Sequence, residues 1–412
     1  MKSPVLRGAP SSDASKRIPG AEPVTLRRVT LFSDAVYFGG AEMYLYLLAR
    51  RLHGVRCSID AVLPPDAGAS RLHDMLEGLG LRIHTLPRAG FAWARSLGAT
   101  RRVLEECAGE VLHLNLPSSY DAGLSSVAFA ARAAGYRRVI STEHLPMIER
   151  KLRRFPVKLL FSHWVDRIIV MTEENRDFLI RRHGMEPEKI AIVENGVEEP
   201  PRLEDDERAR LRAEWGAKPT DFVVGSIGAL SRRKGQHTVL QAAAQLASTP
   251  EGARLKVVLV GEGDERGALE QRASELGLTS RTRFLGDRSD AAQIVAAFDL
   301  FVLASQMESM PLTVLEAMAA SVPTVATSVY GLRQIVEDGS TGRLVPADDP
   351  GALAAALRSA MGQPETARAW GRAGRLRWEA RFTAQQMAER TADLYLESVD
   401  PTHPSAREES PR

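Results

Sequence analysis

The chain has 412 residues, 44% of them hydrophobic and 26% charged, with a formal net charge of +2. That length suggests about two domains, the composition is that of an ordinary globular protein, and near-neutrality gives no global signature of nucleic-acid binding. Cys57 and Cys107 lie far apart without metal-ligand spacing and read as buried spectator thiols in a reducing compartment. No apolar run approaches the ~18 residues of a membrane span, and the N-terminus lacks a signal-peptide apolar core, so a cytoplasmic protein is expected.

Residues 1–24 and 399–412 are rich in Ser, Pro, Gly and charge. Such tails bury too little apolar surface to order themselves. Between them, "RRVTLFSD", "CSIDAVLP", "RIHTLP", "EVLHLNLP", "RVISTEH", "RIIVMTE" and "KIAIVEN" predict strands. Helical segments such as "AEMYLYLLARRL", "ASRLHDMLEGLG", "YDAGLSSVAFAARAAG" and "EENRDFLIRRHG" interleave with them. Strand–helix alternation argues for a parallel sheet covered on both faces. The charge-dense "EEPPRLEDDERARLRAEWGAKPTD" then breaks the pattern and reads as a linker with a short helix. Alternation resumes: strands at "FVVGSIGAL", "RLKVVLVGEG", "TRFLG", "LFVLAS", "PTVAT" and "GRLVP", helices at 235–247, 266–277, 289–297, 311–320 and 331–337.

The expected fold class is therefore α/β, with two doubly wound Rossmann-like domains facing a cleft. They should span 25–198 and 199–383, with a last helix at 384–398 crossing back to the first. In open sheets of this kind ligands bind beyond the carboxyl ends of the strands, so the loops there are the places to look for chemistry.

Four such loops stand out. In "FGGAEM", Gly39 and Gly40 strip side chains from a helix start; this exposes N–H groups to an anion and admits a bulky ligand. Glu42 suits the first helical turn, where an acid complements the dipole; a plain strand–helix joint is the alternative. In "STEHLP", His144 follows a strand and suits a sugar hydroxyl or developing charge, although a lone histidine is often structural; His113 in "LHLN" is a weaker case of the same kind. In "SIGALSRRKGQ", Arg232, Arg233 and Lys234 precede a helix. Fixed positive charge beside free helix N–H groups suits a diphosphate, against a solvated basic turn.

The fourth loop is "SQMESMPLTVLEAMAAS". Pro311 suits a first helical turn, leaving the N–H groups of Met310, Leu312 and Thr313 for an anion. Glu308 stands before that start, and Glu316 lies about 7.5 Å further along the axis. A glutamate among Leu, Val, Met and Ala needs a hydrogen-bond partner if buried, and ribose hydroxyls would serve; an exposed face is the alternative.

Other motifs fail. "VVLVGEGDERG" has Arg266 where a dinucleotide fingerprint needs its third glycine, and "GALSRRKG" is not a Walker loop. Neither a zinc-protease H-E-x-x-H nor a G-x-S-x-G elbow occurs.

The ordered set "GGAE", "ENGV", "GALSRRKG", "VGEG", "FLG", "ESMPLTVLEAMA" and "STGRLVP" resembles the retaining GT-B glycosyltransferases of family 4, the glycogen-synthase-like group. The resemblance runs from about residue 28 to 397. It implies a nucleotide-diphospho-sugar donor held mainly by the second domain, a carbohydrate or lipid-linked acceptor held by the first, and no metal or other cofactor. It implies that Glu308 contacts the donor sugar, Glu316 the ribose and Lys234 the diphosphate, with Gly39 and Gly40 closing on the phosphates and His144 beside the sugar. Three positions depart from the family pattern: Ala229 replaces an arginine, and Ser321 and Tyr330 replace glycines. A non-catalytic sugar-nucleotide-binding protein, a GT-B epimerase and a phosphorylase are the competing readings. Residues 147–164 mix Lys151, Arg153, Arg154 and Lys158 with Leu152, Phe155, Leu159, Leu160, Phe161 and Trp164, a pattern that fits either peripheral contact with the inner face of a membrane or a helix packed on its own sheet.

Overall fold

The computed structural model describes residues 27–34, 36–87, 93–116, 122–146 and 162–397. Both tails, and 147–161 of the basic amphipathic segment, lie outside the described residues. The first sheet holds β1 (Arg27–Phe32), β2 (Cys57–Leu63), β3 (Arg82–Thr85), β4 (Val111–Leu116), β5 (Arg138–Glu143), β6 (Arg167–Val170) and β7 (Ile190–Ile192). Its order is β3-β2-β1-β4-β5-β6-β7, parallel throughout. β4 and β5 are buried at every residue, as strands covered on both faces must be.

The second sheet holds β8 (Phe222–Ile227), β9 (Leu255–Val260), β10 (Thr282–Phe284), β11 (Leu300–Leu303), β12 (Thr324–Thr327) and β13 (Arg343–Val345). It is parallel in the order β10-β9-β8-β11-β12-β13. Strand order reverses between β1 and β4 in one sheet and between β8 and β11 in the other. Such reversals splay the flanking loops apart and leave a crevice at the strand ends.

The helices are α1 (Gly40–Leu52), α2 (Ser70–Glu77), α3 (Trp93–Cys107), α4 (Ala122–Ala133), α5 (Glu173–His183), α6 (Asp205–Glu214) and α7 (Gln236–Ala247), followed by α8 (Arg266–Glu275), α9 (Ala291–Ile294), α10 (Leu312–Ala319), α11 (Leu332–Ile335), α12 (Pro350–Gly362), α13 (Pro364–Arg381) and α14 (Ala384–Leu396). Three of them, α3, α12 and α13, lie where the sequence pattern assigned no element. Among the described residues, no helix is long and apolar enough to cross a membrane.

The last helix, α14, packs against α1 of the first domain. Tyr395 in α14 meets His113 Nδ1 through its hydroxyl at 2.5 Å, and His113 Nε2 meets Thr142 Oγ1 at 2.7 Å. His113 is thus fully buried with both ring nitrogens engaged, a core group and not a cleft group. Arg138 donates to the Leu394 carbonyl at 2.5 Å, and Glu397 pairs with Arg138 and Arg167. Of 147–164, Trp164 stacks edge-on to Phe129 of α4, with centroids 5.1 Å apart. Cys57 and Cys107 are buried, and burial pushes their thiols up to about 11 and about 12.

Candidate functional site

Beyond β8 the chain turns at Gly228, whose φ of 151° places it among conformations rare for other residues, and enters a 3-10 turn at Arg232–Lys234. Beyond β11 it reaches Glu308. These loops converge: Lys234 Nζ lies 2.6 Å and Arg233 3.2 Å from the same Glu308 carboxylate oxygen. Ser305 donates to that oxygen at 2.8 Å. Burial would raise the Glu308 carboxyl, but Lys234 and Arg233 overcome it and hold the group below its ordinary value. Arg233 also donates to the Met307 carbonyl at 2.8 Å. Arg232 is exposed and makes no ion pair among the described residues.

Glu316, one face down α10, has the opposite environment. It is half-buried, with no side-chain hydrogen bond or ion pair among the described residues. Desolvation pushes its carboxyl up to about 7. Pro311 is not inside the helix, as the sequence suggested. It is the N-cap, extended at φ −69° and ψ 127°, and α10 begins at Leu312. The N–H of Val314 is taken by the Pro311 carbonyl at 3.3 Å, so Leu312 and Thr313 head the helix with the donors a first turn leaves free. Met310 faces the other domain: Asn195 donates to its carbonyl at 2.7 Å.

In the first domain, Gly39 caps α1 and its N–H donates to Glu42 at 2.9 Å. Burial raises the Glu42 carboxyl although backbone N–H groups hydrogen-bond to it. Open space surrounds Gly40 where a side chain would project. His144 stands just past β5, half-buried. Its Nε2 lies 2.7 Å from Asn115 Oδ1, and Tyr44 packs edge-on to its ring at 4.9 Å. Desolvation pushes it down to about 3, so it is a neutral imidazole at physiological pH. Sequence reasoning missed Asn115 and Ser305: Asn115 reaches His144 only through the pairing of β4 with β5, whereas Ser305 opens the fourth loop three residues before Glu308, and that spacing was the available signal.

The failed fingerprint at "VGEG" has a packing origin. A Cβ on Gly261 would sit 2.2 Å from the Gly228 carbonyl, and one on Gly263 would sit 2.3 Å from that of Leu230. The two loops abut backbone to backbone. Ser321 and Tyr330, which stand where the resembling family has glycine, have φ of 59° and 38°.

The two sets of loops lie at one seam. Asn175 at the start of α5 donates to Ser309 Oγ. Arg71 of α2 stacks over the Phe38 ring at 4.2 Å and pairs with Asp287, beyond β10, at 3.2 Å. Carboxyl ends of both sheets therefore face each other across the cleft.

The family model described as Glycosyltransferase Family 4 matches residues 38–199, and the one described as Glycosyl transferases group 1 matches 207–377. A D-inositol 3-phosphate glycosyltransferase of Rhodococcus jostii is 34% identical over 241 residues, which cover 57% of this chain and 52% of that protein. The chain thus spans about half the length of the curated relatives it matches. HepE of Anabaena, solved with UDP and glucose, superposes with a TM-score of 0.78 at 22% identity over 90% of this chain and 99% of HepE. Sucrose-phosphate synthase of Thermosynechococcus elongatus gives 0.73 at 23% identity, over 90% and 98%. Two parallel doubly wound sheets with their strand ends opposed define the GT-B architecture. With one family model on each domain, the chain belongs to the group 1, family 4 glycosyltransferases.

Proposed function

We propose that this chain is a retaining glycosyltransferase that moves a sugar from a nucleotide-diphospho-sugar to an acceptor hydroxyl, in polysaccharide, glycolipid or glycoconjugate synthesis. One observation carries the reading: Lys234, Arg233 and Glu308 converge at one switch point, opposite a glycine turn and a neutral histidine at the other. When the donor's glycosidic bond breaks, negative charge grows on the diphosphate and positive charge on the sugar. In this reading Lys234, Arg232 and the first-turn N–H groups of α10 meet the former, and Gly39 and Gly40 let the backbone approach it closely. Glu308 holds the sugar hydroxyls, and Glu316 the ribose. The acceptor hydroxyl attacks from the leaving-group side, and cleft closure excludes water.

The reading calls on no resident metal. Transfer unchanged by a chelator is the expected outcome, and loss restored by a divalent ion would require revising it. A thermal-shift screen against UDP-, GDP- and ADP-sugars identifies the donor, because a ligand of the native state raises apparent stability. With that donor, Lys234→Ala and Glu308→Ala should each lower turnover about 10²- to 10³-fold. Near-wild-type transfer in both variants would sink the assignment, and donor binding without any transfer would favour a non-catalytic sugar-nucleotide binder. The proposal extends to a lipid-linked acceptor met at the inner face of a membrane, which the composition of 147–164 supports. Co-flotation with anionic vesicles at low salt, lost at high salt, is expected; no flotation at low salt removes that part.

A further inference from the structure

Asn115 is the penultimate residue of β4 and is completely buried. Its side chain makes two hydrogen bonds to two different parts of the first domain's contribution to the site. Nδ2 donates to the Ala41 carbonyl at 3.1 Å, in the first turn of α1. Oδ1 lies 2.7 Å from His144 Nε2. A backbone carbonyl only accepts, so the amide must turn its NH2 toward Ala41 and its oxygen toward the histidine. That oxygen only accepts as well. The proton of the neutral His144 ring therefore sits on Nε2, and Nδ1 carries a lone pair. No protein donor reaches Nδ1 among the described residues.

We propose that Asn115 is a positioning residue, which fixes His144 as the Nε2–H tautomer so that Nδ1 accepts a hydrogen bond from a ligand hydroxyl, and which ties that histidine to the glycine turn at Gly39 and Gly40. The ligand class rests on the glycosyltransferase reading; the tautomer does not. The surroundings agree with the geometry. Tyr44 of α1 packs edge-on to the ring, His113 of β4 stands behind Tyr44, and Glu143 of β5 is the neighbour in sequence. Desolvation keeps the imidazole neutral, and a neutral ring has one acceptor to offer. The glycine turn is pinned at both ends, by Glu42 on the Gly39 N–H and by Asn115 on the Ala41 carbonyl. Its placement and the tautomer of His144 thus depend on one amide. A sugar hydroxyl that donates fits this acceptor; its methyl ether or deoxy analogue leaves Nδ1 unpaired.

The test is nitrogen-15 NMR of the histidine rings in the full chain, with His144 assigned by its loss in His144→Gln. The wild type should show a protonated Nε2 and an unprotonated Nδ1, unchanged from pH 8 to 5. Asn115→Leu, of similar size, should give averaged nitrogen shifts from mixed tautomers. Asn115→Asp should keep the proton on Nε2 and bring an imidazolium into view as pH falls, because a carboxylate then faces the ring. A wild-type ring protonated on Nδ1, or a folded Asn115→Leu with its tautomer unchanged, overturns the proposal, and the wild-type spectrum alone suffices if the variants do not fold. Whichever of UDP-, GDP- or ADP-glucose raises the melting temperature should bind Asn115→Leu about tenfold more weakly. If none of the three binds while the ring spectra come out as expected, the transferase reading fails and the tautomer assignment stands.

Discussion

Glu308 and Glu316 belong to one stretch of chain but sit in opposite fields. Two cations hold Glu308 ionised against its burial, whereas Glu316 has none and is pushed up to about 7. A protonated Glu316 has one acceptor fewer for a ribose diol. Donor affinity should therefore rise between pH 6 and pH 8 and flatten in Glu316→Gln, as read by titration calorimetry; a flat wild-type profile would remove Glu316 from the ribose. His113 and His144 are both pushed down to about 3 by burial, against about 6.5 when unfolded. Between those values the unfolded chain binds more protons, so stability is full above about pH 6.5 and falls on acidification. The slope is up to about 1.4 kcal/mol per pH unit for each histidine. Melting curves from pH 7 to 5 should show it, and His113→Gln, less stable at pH 7, should lose less over that range. Lys234 and Glu308 were legible as separate candidates, because each stands in a loop beyond the carboxyl end of a strand, where open parallel sheets bind ligands. Their direct pairing was not legible, since it depends on how two loops more than seventy residues apart approach.

Element boundaries depend on contacts that no local pattern encodes. Ser321 closes α10 in left-handed backbone, and Tyr330 precedes α11 in the same region. Such a conformation costs a residue with a Cβ about 1–2 kcal/mol. Ser321→Gly should raise stability by roughly 1 kcal/mol, about 2–4 °C in melting temperature for a domain of this size. An unchanged or lower value would mean that the serine side chain has another role. Gly331 is the reverse case: a Cβ there would fall 1.4 Å from the Ser309 carbonyl, beside Glu308. Gly331→Ala should displace that loop and weaken donor binding. The strands were readable because buried parallel strands appear as unbroken apolar runs. α13 was not: it is rich in Arg and Gly, and a Cβ on its Gly371 would meet the Ser321 carbonyl at 2.1 Å. A helix that spends its best positions on close packing has little amphipathic signature.

At the scale of the molecule, the two domains meet at the cleft through contacts that include, among the described residues, Asn195 on Met310, Asn175 on Ser309, Arg333 on Glu174 and Arg71 on Asp287. The Arg71–Asp287 pair is solvent-facing, so its worth is at most about 1 kcal/mol. Charge reversal in Asp287→Arg should thus raise KM for donor up to about fivefold, and Arg71→Asp combined with Asp287→Arg should restore it. An unaltered KM would leave the pair without a part in closure.

The seating of α14 on α1 also has a consequence for the order in which the protein is made. Residues 384–396 supply the cover of the first domain, including the tyrosine that closes on His113. They leave the ribosome only after the whole second domain. Throughout that interval the nascent first domain carries an open apolar face on α1 and a half-satisfied buried histidine. Domains generally fold as they emerge; this one must wait for its neighbour to be synthesised, and its dependence on chaperones should peak during that wait.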